Sequence, residues 1–134
     1  YVQLPLNVFD QRFITLLPGL KQRGIKLVCR SVFLQGTLLA PDALPAFFQA
    51  EDLATYFDRY QAQCQAMHIT PLEACLGFVA QHIECAVLGV TCLAELKANL
   101  HALERLKSKQ FDWSGFEAFT HLPEQLIDPR RWPS

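Results

Sequence analysis

Residues 30–39 read RSVFLQGTLL and follow a hydrophobic run, and residues 88–100, LGVTCLAELKANL, answer them further along the chain. Each stretch has the same internal order of apolar strand, polar or glycine-bearing turn, and helix. That order puts backbone donors beside a ligand at the carboxyl ends of parallel strands. In the second stretch Gly89 and Thr91 precede a pattern in which Leu93, Leu96, Leu100 and Leu103 are spaced for one apolar helix face. The turn therefore opens onto free helical N–H groups and suits a phosphate.

Working outward, Val2, Leu4 and Leu6 alternate with polar or turn-prone neighbours up to Asn7, and residues 25–32 and 85–90 are short runs rich in β-branched and apolar side chains. These are the three expected strands. Between the first two, residues 13–23 place Phe13, Leu16, Leu17 and Leu20 on one face, Gly24 supplies a stop, and Pro18 kinks the helix or limits it to its later turns. A proline-bearing stretch (Pro41, Pro45) leads to a helical pattern at Leu53, Tyr56, Phe57, Tyr60 and Cys64. Thr70 with Glu73 three residues on predicts a capping box, with Pro71 at the first helical position and Leu72, Cys75, Leu76 and Val79 on the buried face. Glu51 and Asp52 are expected to cap the helix they precede.

Strands alternating with helices argue for a parallel sheet covered on both faces. A complete (β/α)8 TIM barrel takes about 250 residues, so 134 residues with three strands correspond to about half of such a barrel, a partial barrel plus a tail. The tail, residues 111–134, carries Trp113, Phe116, Phe119, Leu122, Leu126 and Trp132 among turn residues, which predicts a packed arm rather than a disordered one. A partial barrel leaves open strand edges, so self-association as a homo-oligomer, or pairing with a missing amino-terminal half, is expected.

Hydrophobic residues make up 51% of the chain and the net charge is −1, the balance of one globular unit with a substantial core. Basic and acidic residues are matched and the basic clusters are short, as at Lys107, Lys109 and Arg130–Arg131, which argues against nucleic acid as a partner. No apolar stretch approaches the roughly 18–20 residues that span a bilayer, and no signal-peptide pattern is visible. The five cysteines, Cys29, Cys64, Cys75, Cys85 and Cys92, form no CxxC pair and read as reduced core residues of a cytoplasmic protein. Cys92 lies near a helix start but has no local general base. His68, His82, His101 and His121 lack the spacing of a metal site.

YVQLPLN (1–7), VCRSVFLQG (28–36) and GVTCLAELKAN (89–99) resemble, in order, three motifs of the aldo-keto reductases. In that family the sixth strand typically reads like vQxxyN, the seventh like aRSxxxxG, and the eighth leads into a stretch like GxSxxxQLxEN. IDPRRW (127–132) is similar to the closing segment of bacterial members. The resemblance covers nearly the whole chain but only the second half of the family's barrel. It implies part of a nicotinamide-dependent oxidoreductase reducing carbonyl compounds. The family's proton- and hydride-transfer residues lie on earlier strands, so no catalytic residue is expected here.

The same resemblance implies the cofactor contacts. Gln3 would meet the nicotinamide carboxamide, Arg30 would lie against the nicotinamide ring, and Ser31, Phe33, Gln35 and Gly36 would line the turn beside the pyrophosphate. Gly89, Val90 and Thr91 would form the turn after the last strand, and Asn99 would reach the adenine amine. Glu95 departs from the family's usual glutamine or arginine, and a carboxylate there would repel an adenosine 2′-phosphate. Ala98 likewise replaces a common glutamate. The cofactor is therefore read as NAD or NADP, with NADP disfavoured. The alternative reading is a non-catalytic half-barrel that serves as an interaction or regulatory module.

Overall fold

Val2–Pro5 (β1) runs parallel to Leu27–Arg30 (β2), with Val2 opposite Leu27 and Pro5 opposite Arg30, in a computed structural model that describes residues 1–50 and 52–134. Cys85–Ala86 (β3) pairs in parallel with the other edge of β2, Val28 opposite Cys85, so the order is β1-β2-β3. The chain is thus α/β, with a three-stranded parallel sheet. The third strand is shorter than the expected 85–90. β2 leaves the sheet at Ser31, whose φ of 59° turns the backbone away, so after Val87 N–H donates to the Cys29 carbonyl there is no ladder left to extend.

The crossover between β1 and β2 contains a 3-10 turn, Ile14–Leu16, and one short helix, α1 (Leu17–Gln22). Pro18 near its start has no N–H to donate, so the longer helix over 13–23 is not formed. Gly24, at φ 73°, ends it. Leu17 is buried but Leu16 is 56% exposed, so the expected apolar face is only partly covered. The second crossover carries α2 (Ala46–Ala50), α3 (Ala54–Ala66) and α4 (Pro71–Ala80). α4 starts with the predicted capping box. Thr70 Oγ1 accepts from the Glu73 N–H, and the Glu73 carboxylate accepts from the Thr70 N–H at 2.8 Å.

The capping expected from residues 51 and 52 takes another form. Glu51 lies outside the described residues, and Asp52 sits in a left-handed turn (φ 55°) one residue before Leu53, which precedes α3 without any side-chain cap. Leu53 is buried, so packing holds this end of the helix.

β3 is followed by α5 (Leu93–Lys107), and the tail forms a 3-10 segment, Ser114–Phe119, then α6 (Glu124–Ile127) and a last 3-10 turn, Pro129–Arg131. The core gathers Phe9 from the segment after β1, Phe48 from α2, Phe57 and Tyr60 from α3, and Phe116, Phe119 and Leu126 from the tail, all buried. Phe9 meets Phe57 and Tyr60 edge-on, with ring centroids 5.0 and 5.7 Å apart. Each such side chain contributes about 1.5–3 kcal/mol by burial, and favourable ring geometry adds about 0.5–1.5 kcal/mol per pair. The tail is part of this core.

Two expectations about burial are corrected. Leu93, Leu96 and Leu100 are 63%, 42% and 54% exposed, whereas Asn99 and Ala102 of the same helix are buried. α5 packs on α4 through the face that carries Ala102 and Leu103, which rotates the Leu93–Leu96–Leu100 stripe outward. Cys29, Cys64 and Cys75 are core residues, but Cys85 and Cys92 are exposed because they stand on an edge strand and at the outward start of α5. All five thiols are free, and burial pushes Cys29 and Cys75 up to about 12 and Cys64 to about 11. No helix among the described residues is long and apolar enough to cross a membrane.

Candidate functional site

Beyond Arg30 the chain alternates between inward and outward residues. Val32, Leu34 and Leu38 are buried, which leaves Ser31, Phe33, Gln35 and Gly36 on the outer side of the turn. Ser31, Leu34 and Gln35 have φ of 59°, 46° and 55°, and Gly36 follows at 83°. Left-handed backbone at a non-glycine residue costs about 1–3 kcal/mol, and here it is held by several contacts. Leu34 N–H donates to the Ser31 carbonyl, Leu38 N–H to Phe33, and the Thr37 hydroxyl to the Leu34 carbonyl at 2.7 Å. Asn7, fully buried, donates its side-chain N–H to the Ser31 carbonyl at 2.9 Å while its Oδ1 accepts from the Phe9 and Asp10 N–H groups. One amide thus ties the carboxyl ends of β1 and β2 together.

The turn after β3 faces this loop. Thr91 precedes Cys92, whose extended backbone (φ −151°, ψ 164°) leads into α5 with no cap from its own side chain. Glu95 supplies the missing acceptor. Its Oε2 takes the Thr91 N–H at 2.6 Å and the Thr91 hydroxyl at 3.1 Å, and these bonds, the backbone one first, hold its carboxyl below the usual carboxylate range. The negative charge therefore sits at the helix amino end, where the dipole favours it.

Between the two turns lies a hollow of about 830 Å³. Ser31, Phe33, Gln35 and Gly36 form one wall, Gly89, Thr91, Glu95 and Asn99 another, and the start of α4, Thr70 to Leu72, a third. The size is that of a small-molecule site. Asn99 is 6% exposed, and its side chain makes no hydrogen bond among the described residues. No buried side-chain N or O atom among the described residues lacks a partner, so the Asn99 amide, which makes no hydrogen bond, remains accessible at the wall of the hollow and can donate and accept there. Among the described residues no lysine or arginine lines it.

The remaining expected site residues lie elsewhere. Gln3 is exposed on β1 and Val90 is 42% exposed on the loop, and neither lines the hollow. Arg30 lines a neighbouring, smaller hollow together with Ser31 and Gln35. The α4 wall adds Thr70, Pro71 and Leu72 to the expected site residues. A helix that precedes a parallel strand begins at the carboxyl end of the sheet, so the box itself signalled that Thr70 and Pro71 stand beside the ligand end. Among the described residues no group of three or more His, Cys, Asp or Glu side chains could hold a metal ion.

These features define an α/β chain with a ligand-sized hollow at the carboxyl ends of parallel strands. No protein-family model matches the chain, and no curated protein matches it either.

Proposed function

We propose that the chain is the last three βα units and tail of an aldo-keto reductase-like (β/α)8 barrel, and that it supplies the dinucleotide side of a carbonyl-reducing oxidoreductase. The observation that carries this reading is the hollow between the 31–36 turn and α5, into which the unpartnered Asn99 amide opens. The residues fit a dinucleotide: Gly36 and Gly89 leave open space where a side chain would stand, Phe33 offers an apolar surface, and Asn99 can donate and accept at a base edge. They fit NAD better than NADP, because Glu95 brings a carboxylate and no cation to the α5 end. When bound, the cofactor would exchange a hydride with the carbonyl carbon. The proton would come from side chains on barrel strands that this chain does not carry. The three buried free thiols suit a reducing, cytoplasmic setting.

Titration of NADH with fluorescence detection tests the reading. Saturable binding that weakens at least tenfold in Asn99→Leu, with Lys109→Gln as an unaffected control, is the expected result. Binding that is equally strong in Asn99→Leu would remove the site from this hollow.

A second reading, a half-barrel interaction module, is favoured by one observation. Among the described residues β3 has no strand beyond it, and Val87 just after it and Leu93, Leu96 and Leu100 of α5 are exposed. Such an edge suits another βα unit, either the rest of a barrel or a second copy. Light scattering on the chain and on the Leu93→Lys, Leu96→Lys double variant tests it. A wild-type oligomer that becomes monomeric supports a homo-oligomer through this face, whereas unchanged mass in both removes that role.

A further inference from the structure

The second hollow, about 330 Å³, lies where the ends of β1 and β2 meet the tail. Three arginines and two aspartates line it. Asp10, almost fully buried, is held by Arg12 through two bonds of 2.8 Å, Nε to Oδ1 and a second guanidinium nitrogen to Oδ2. Asp128 is held the same way by Arg130, at 2.9 and 2.7 Å, and also accepts the Arg130 backbone N–H. The Arg130 bonds keep the Asp128 carboxyl down at about 2. Both carboxylates are therefore committed, each in a fork-to-fork pair with its own arginine.

Arg30 has no such partner. Among the described residues it makes no ion pair, and its one side-chain bond goes to the neighbouring Ser31 Oγ at 3.2 Å. Three guanidiniums against two neutralised carboxylates leave one positive charge, and it stands on Arg30, opposite Pro5 at the strand ends. Gln35, exposed and without a side-chain hydrogen bond among the described residues, shares this wall. An uncommitted guanidinium with a hydroxyl and an amide beside it matches the geometry of a carboxylate or phosphate.

We infer that this hollow is a seat for a small organic carboxylate or phosphate, held by Arg30 with Ser31 and Gln35. The anion is a separate ligand, adjacent to the larger hollow and not the pyrophosphate of a dinucleotide bound there. If the dinucleotide reading holds, the seat points to substrates that carry an anionic group beside the carbonyl. The seat itself does not depend on that reading.

Titration of the chain with inorganic phosphate and with citrate, at ionic strength held constant with sodium chloride, tests it through the arginine side-chain N–H resonances. A saturable shift at Arg30 is expected, with affinity reduced at least tenfold in Arg30→Gln, partly restored in Arg30→Lys, and unchanged in Arg23→Gln, which removes an exposed charge elsewhere. Far-UV circular dichroism of the variants confirms that each is folded. Equal loss in Arg23→Gln, or no saturation, overturns the seat in favour of general charge attraction. Repeating the titration with NADH present separates the two sources: simultaneous binding supports a separate anion, and competition overturns it. Phosphate binding without NADH binding would sink the dinucleotide reading and leave this one standing.

Discussion

The Glu95 carboxylate caps its own helix by accepting both the backbone N–H and the hydroxyl of Thr91, at 2.6 and 3.1 Å. A ligand phosphate arriving at that end of α5 would meet a negative charge already in place. Like charges within a few ångströms repel even in water, so Glu95→Gln should shift the preference toward the phosphorylated dinucleotide by roughly severalfold. Paired titrations with NADH and NADPH read this directly, and an unchanged ratio would mean that the adenosine end lies elsewhere.

Glu73 serves two elements at once. Its carboxylate caps α4 through the Thr70 N–H and pairs with Arg105 of α5 at 3.2 Å, and Arg105 also donates to the His68 carbonyl. Thr70→Ala should cost about 1 kcal/mol, the usual value of a lost helix cap. Glu73→Ala should cost more, about 2 kcal/mol, because a buried hydrogen-bonded charge is lost from both partners. Urea denaturation of the two variants checks the order.

Gly77 lies on α4 directly beneath the Trp113 indole, and a Cβ at that position would overlap the ring. Trp113 is itself stacked on Phe116, with centroids 5.9 Å apart, so it has little room to yield. Gly77→Ala should destabilise the fold by about 1–3 kcal/mol, the cost of overpacking. In Trp113→Ala the same substitution should become nearly neutral. A double-mutant cycle that is additive would show that the contact is not what makes glycine necessary.

His82 titrates below its ordinary value, first because of partial burial and second because Lys21 is close. Lys21 Nζ donates to the His82 carbonyl at 2.7 Å, and the imidazole sits against the Phe78 ring. The unfolded chain therefore binds a proton more readily than the folded one. Stability should be fully present above about pH 6.5, the unperturbed histidine value, and fall as pH drops below it toward the lower folded-state pKa. His82→Gln should flatten that part of the melting-temperature profile, and a slope retained in the variant would assign it to another group.

Much of the sheet and of the larger hollow was legible locally. The alternation of short apolar runs with helical patterns predicts a parallel α/β chain, and β1, β2 and β3 fall within residues 2–7, 25–32 and 85–90. The Thr70–Glu73 box and the stop at Gly24 form as their chemistry dictates, since each depends on neighbours only a few residues away. The two turns read as ligand-facing, 31–36 and 89–91, do face one another across one cavity.

Other features depended on contacts between distant parts of the chain. Leucine spacing along α5 defines an apolar stripe, but which face is covered depends on how α4 lies against it, and that contact buries Asn99 and Ala102 instead. The second hollow unites Asp10 and Arg12 from after β1, Arg30 from β2, and Asp128 and Arg130 from the tail. Local sequence determined where the strands lie, the Thr70–Glu73 cap and the stop at Gly24, because propensity and short-range hydrogen bonds decide those. Tertiary structure alone decided which helix face is exposed and which arginine of the second hollow lacks a carboxylate, because burial and charge pairing are set by packing across the whole chain.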